Sequence, residues 1–216
     1  LRKLSSHGKL GSTQTSFSLE SEGENMKPSK IFGLVAVAAL TLMAFASTAS
    51  ATTLTTNGVK QSGAVTLVAT QNGSLTLSDT SNTFANTCRV STVHGTTSVF
   101  TGTVSGPLAT LSFSTCTHEQ VVVDAKGSLS IEQIGATTNG TVRSSGAEVT
   151  VPSTIGSSII TVNCKTAFTD LGTLTGVNSG TSVIDINAVL NCGFFLPSAK
   201  WIGSYNITGH SIGVEA

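Results

Sequence analysis

Ala64-Val65-Thr66-Leu67-Val68-Ala69-Thr70, then Gln71-Asn72-Gly73, then Ser74-Leu75-Thr76-Leu77-Ser78, set the character of this chain. Apolar and hydroxyl residues alternate on both sides, the period of a strand with one face toward a core. Asn-Gly between alternating runs predicts a tight hairpin turn, because both central residues must accept positive φ. The pattern recurs downstream. Ser98 to Val104 and Leu108 to Phe113 flank Ser105-Gly106-Pro107, which reads as a second hairpin. Gln120 to Val123 and Ser128 to Ile131 flank Asp124-Ala125-Lys126-Gly127, a third, with Gly127 suited to a left-handed position. Val142 and Glu148 to Val151 surround Ser144-Ser145-Gly146, a fourth. Ile159 to Val162, Ser182 to Ile186 and Lys200 to Ile207 follow as later strands. Convincing helical periodicity is absent, and Ile186 to Leu190 has room for one short turn at most. Short strands with regularly spaced turn signals predict an all-β fold. The expected form is an antiparallel β-sandwich of Greek-key or jelly-roll type, with a small Greek-key barrel as the alternative.

The sequence preceding these strands has a different purpose. Met26-Lys27-Pro28-Ser29-Lys30 is a basic start, Ile31 to Ala46 is an uncharged apolar run, and Ala49-Ser50-Ala51 has the small-x-small pattern of a cleavage site. The run falls short of the roughly 18 residues of a membrane span. Residues 26–51 therefore read as a secretory signal peptide cleaved after Ala51, leaving no membrane span. Residues 1–25 are polar and aperiodic. They read as an untranslated leader, with a disordered tail as the alternative. Residues 52–216 remain as a single secreted β-domain, extracellular or periplasmic.

Charge is scarce in that domain. Lys60, Arg89, Lys126, Arg143, Lys165 and Lys200 stand against Asp79, Glu119, Asp124, Glu132, Glu148, Asp170, Asp185 and Glu215, with no basic run. The electrostatic term that drives nucleic-acid binding therefore has no source. Cys88, Cys116, Cys164 and Cys192 allow three disulfide pairings, and the equal intervals of 28 between the first two and the last two favour pairing within each. A zinc site is the rival reading, but no C-x-x-C or neighbouring His pair supports it. No metal or other cofactor is expected. Val65 to Cys88 and Glu148 to Cys164, each followed by the same cysteine interval, also hint at a weak internal duplication.

Catalytic constellations are few. G-x-S-x-G, H-E-x-x-H, P-loop and Rossmann patterns do not occur. His94, His118 and His210 sit in polar or glycine-bearing contexts, and His118-Glu119 beside Cys116 is the one dense titratable cluster. It reads as a solvated hairpin end beside a disulfide. Asp185 alternates with Ile184 and Ile186 and so reads as an exposed strand residue. Trp201 and Tyr205, four apart on one strand, share a face and form either a small stacking surface for a ligand or a packing contact. The triplets Thr53/Thr55, Thr101/Thr103 and Thr173/Thr175 are too irregularly spaced for an ice-binding array.

Phe113-Ser114-Thr115-Cys116-Thr117 and Trp201-Ile202-Gly203-Ser204-Tyr205, together with the export signal and Thr/Gly-rich strands, resemble a loose group of small secreted bacterial proteins, often actinobacterial. The resemblance implies a compact, cysteine-paired β-fold and carries over no functional residue. The expected function is a non-enzymatic binding or structural module of the envelope or extracellular space, acting on an unknown partner there, with glycan binding or self-association as possibilities. A pilin-like fibre subunit is the alternative, with Thr52 to Val59 as donor strand. A small secreted hydrolase ranks third.

Overall fold

The computed structural model describes residues 52–79, 84–97, 103–118, 120–155, 158–194 and 196–216. The leader and signal readings on residues 1–51 lie outside these, as do Glu119 and the segment 98–102. Among the described residues there are fourteen strands: β1 Thr53–Thr56, β2 Val59–Lys60, β3 Val65–Asp79, β4 Ala85–Thr97, β5 Val104–Cys116, β6 Val122–Ala125, β7 Ser128–Gln133, β8 Gly140–Ser145, β9 Glu148–Ile155, β10 Ser158–Lys165, β11 Thr169–Thr175, β12 Val183–Leu190, β13 Ala199–Thr208 and β14 Ile212–Glu215.

The all-β expectation holds, but the sandwich does not. Eight strands close into an antiparallel barrel in the order β3-β4-β5-β7-β8-β11-β12-β13, and β13 pairs back onto β3. This is the barrel alternative, with up-and-down rather than Greek-key order, since the wall strands follow one another in chain sequence. Closure leaves the wall without edges. The long strands can curl because bulges interrupt them, at Thr70/Leu75, His94/Gly95, Asp170/Gly172 and Ile202/Ser204. An extra residue on one side of a ladder bends the strand and raises its twist.

Those bulges explain why the turn signals mislead. Asn72-Gly73 lies inside the continuous β3, in its bulge, where Gly73 takes φ 85°. The Asn-Gly turn that does form is Asn57-Gly58, at φ 51° and 75°, joining β1 to β2 with Thr56 opposite Val59. Ser105-Gly106-Pro107 is likewise mid-strand, pairing with β7 before β5 turns its register to β4. The third and fourth expected hairpins are places where the chain changes sheets. β6 pairs with β9, not with β7, and β8 pairs with β7 and β11, not with β9. Gly127 and Gly146, at φ 68° and 69°, mark these departures. A positive-φ residue thus serves a strand switching sheets as well as it serves a turn. Ile186 to Leu190 continues β12 with no helical turn. The proposed duplication also dissolves: Val65 to Cys88 runs through barrel wall, whereas Glu148 to Cys164 runs through a separate sheet.

Two small sheets cover the barrel ends. β1, β2 and β14 form one, with Leu54, Ile212 and Val214 fully buried. The β14 backbone lies between the β7–β8 and β11–β12 connections, where the Val214 N–H donates to Thr138 O and the Val177 N–H donates to Ile212 O. Thr52 to Val59 is therefore engaged within its own chain. At the opposite end, β6, β9 and β10 form the second cover. Both disulfides lie at this end and pair as the spacing suggests. Cys88–Cys116 staples β4 to β5, and Cys164–Cys192 staples β10 to the segment after β12. Two disulfides fit assembly in an oxidising compartment.

Candidate functional site

Alternation along the wall strands sends one set of side chains into the barrel. On β12, Ile186, Ala188 and Leu190 are buried, while Asp185, Asn187 and Val189 between them are exposed. On β13, Lys200, Ile202 and Thr208 face solvent, and Tyr205 and Ile207 face in. The charged side chains stay on the outer wall. Arg143 on β8 bonds Asp170 and Glu132 on the flanking strands and lies under the Phe168 ring, 5.3 Å from its centroid. The two carboxylates hold the Arg143 guanidinium above its ordinary pKa. A membrane-spanning barrel shows the reverse pattern, apolar outside and polar within.

The interior is not filled. Under the β9–β10 cover lies a void of about 90 Å³, walled by Leu75, Phe113, Ile186, Trp201 and Tyr205 from the barrel and by Val149, Val151 and Cys164 from the cover. A second void, about 50 Å³, continues toward the other end between Leu67, Val104, Ile131 and Ile207. Ala69, Val93, Leu108, Leu129, Val142 and Ile184 border both, forming the waist between them. Protein interiors are otherwise close-packed. At roughly 24 cal/mol per Å³, the larger void alone costs about 2 kcal/mol.

Gly203 makes room for Leu75 on the void's wall. Trp201, Gly203 and Tyr205 share the inward face of β13, and a Cβ at position 203 would fall 2.1 Å from Leu75 Cδ2. Leu75 lies across the gap a side chain would fill. Trp201 meets Phe113 edge-on, ring centroids 6.1 Å apart at 65°.

Few polar groups touch the cavity. Tyr205 OH lies 2.8 Å from Ser91 Oγ, whose own proton goes to Ser112 O at 2.7 Å. Burial pushes the Tyr205 phenol far above its ordinary pKa, opposed in part by the Ser91 bond. Ser144 Oγ lies 3.1 Å from Thr166 Oγ1. Asn86 Oδ1 accepts from Thr117 Oγ1 and the His118 N–H at the start of β4. Among the described residues, no ionisable group other than the Tyr205 phenol lines either void.

The residues singled out from the sequence are thus partly united. Trp201 and Tyr205 do share a face, and that face is the inner one, so they offer no external platform for an extended glycan. Cys88 and Cys164 border the larger void. His94, on β4 opposite Val68 and Thr110, is half-buried, whereas His118 and His210 are exposed. His210 borders an open cleft with Asn57, Thr70, Asn206 and Ser211, all uncharged. The three histidines are not brought together. Asp185 is exposed as expected, and Thr55 of the first T-x-T pair is buried while Thr173 and Thr175 are exposed. Among the described residues, no cluster of His, Cys, Asp or Glu could hold a metal ion. Ser91, Ser144 and Phe113 escaped notice as site residues; only their place in the inward alternation could have pointed to them.

Comparison with family models, curated proteins and solved structures finds no match for this chain.

Proposed function

We propose that this protein is an exported, non-enzymatic binding module whose barrel encloses a small, uncharged, apolar molecule. The observation that carries the reading is the aromatic-walled void under the β9–β10 cover, retained at a cost of about 2 kcal/mol. The two voids together fall just short of the roughly 150 Å³ apolar cavity that admits benzene. A single-ring compound of about six to eight non-hydrogen atoms is therefore the expected occupant, with small side-chain shifts at the waist. A wall without charges favours neutral ligands, because an ion would be desolvated there without a partner. Export is supported by the signal-like Met26 to Ala51 segment and by the two disulfides.

Trp201, the chain's single tryptophan, makes the test direct. Titration with toluene should give a saturable change in tryptophan fluorescence, with Kd of about 0.1–1 mM for so small a ligand. A linear, non-saturating response up to the solubility limit would count against the reading.

A further inference from the structure

The hydrogen-bond inventory of the cavity wall goes one step further, resting on the ligand-binding reading above. A backbone carbonyl can only accept, so the 2.7 Å contact from Ser91 Oγ to Ser112 O uses the Ser91 proton. The 2.8 Å contact between Ser91 Oγ and Tyr205 OH must then be donated by the tyrosine. With its one proton committed, the Tyr205 hydroxyl has only lone-pair capacity left. Ser144 repeats the arrangement. Thr166 Oγ1 donates to Ala147 O at 3.3 Å and accepts the Ala147 N–H at 2.9 Å, so the 3.1 Å contact from Ser144 is donated by Ser144. Tyr205 and Ser144 thus present two buried hydroxyls that accept and do not donate, on a mostly apolar wall whose other polar side chains are Asn86 and Thr166. Tyr205, 2% exposed and beside Trp201 and Phe113, is the one at the aromatic end.

We infer that the cavity selects ring-sized apolar molecules bearing one hydrogen-bond donor, phenols or small cyclic alcohols, and that Tyr205 OH accepts the ligand's proton. Ser91 sets this polarity by occupying the tyrosine's own proton, and so acts as a positioning residue. Hydrocarbons of the same size bind by burial alone, and ligands whose sole polar group is a carbonyl or ether face an acceptor with an acceptor.

Calorimetric titration with phenol, toluene and cyclohexanone separates the possibilities. The Tyr205→Phe variant should bind phenol about tenfold more weakly and toluene unchanged, as expected for loss of one net hydrogen bond. Ser91→Ala provides a second measurement that does not depend on the folding of the first. It releases the Tyr205 proton toward the cavity, so cyclohexanone should bind more tightly than to the unaltered protein. If phenol and toluene both bind, but their ratio is the same in Tyr205→Phe and cyclohexanone gains nothing from Ser91→Ala, the acceptor assignment is wrong and the apolar cavity stands. If none of the three binds the unaltered protein, the cavity reading fails as well.

Discussion

Replacing Ala69 by valine should make the barrel more stable and less able to bind. Ala69 is 6% exposed and borders both voids at their common waist. Valine adds two carbons that enter existing space. At about 0.8 kcal/mol per buried carbon the gain is at most about 1.6 kcal/mol. Ordering the side chain returns roughly 0.5 kcal/mol of this, and a β-branched residue suits a strand. A net stabilisation of about 1 kcal/mol follows, or a rise in Tm of about 3 °C for a domain of this size. Urea unfolding followed by Trp201 fluorescence would show the midpoint shifting upward at constant slope. The same substitution narrows the passage between the voids, so toluene affinity should fall at least about tenfold, a loss near 1.4 kcal/mol. Opposed signs for stability and binding mark a space kept open for a ligand. A lowered midpoint with unchanged toluene binding would refute the reasoning, because it would mean that no free space adjoins Ala69.

Two further outcomes concern other features. Tyr205 is the chain's only tyrosine, so absorbance near 295 nm reports it alone. Its raised pKa means that the fold favours the protonated phenol. Stability is then undiminished below the ordinary tyrosine value of about 10 and declines as pH rises past it, since only the unfolded chain ionises there. Tyrosinate absorbance should appear together with unfolding, and Tyr205→Phe should flatten the decline; tyrosinate forming near pH 10 in intact protein would place the phenol in water. Removing the second disulfide by Cys164→Ser with Cys192→Ser should cost about 3–4 kcal/mol on the chain-entropy account of its closed loop. Denaturant midpoints of the two proteins measure it, and a loss below about 1 kcal/mol would show that the Lys165–Asn191 bridge and the packing of the cover suffice to hold β10.

Strand content and disulfide pairing were legible in the sequence because both depend on local signals, alternation and equal cysteine intervals. Closure was not. A barrel and a sandwich share the same inward and outward alternation, and what separates them is which strands pair. Positive-φ residues marked the decisive places, yet Gly73, Gly127 and Gly146 serve a bulge and two changes of sheet instead of turns. The shared face of Trp201 and Tyr205 followed from strand geometry, but its direction depended on the closure of β13 onto β3. Ser91 was hidden for another reason. In a chain so rich in hydroxyls, one serine acquires meaning only when Tyr205, 114 positions away, is brought against it.

The pairing of β1 with β14 has a consequence for how the protein is made. Thr53 stands opposite Glu215 and Thr56 opposite Ile212, so the first of the described strands is matched by the last. Leu54 has no burial site until Ile212 and Val214 arrive. Contacts so distant along the chain form late, since their loop entropy must be met before they contribute. During synthesis the barrel end therefore stays open until β14 has been made. The fold of such a chain cannot be completed before β14 is available, an order of events that agrees with the export proposed above.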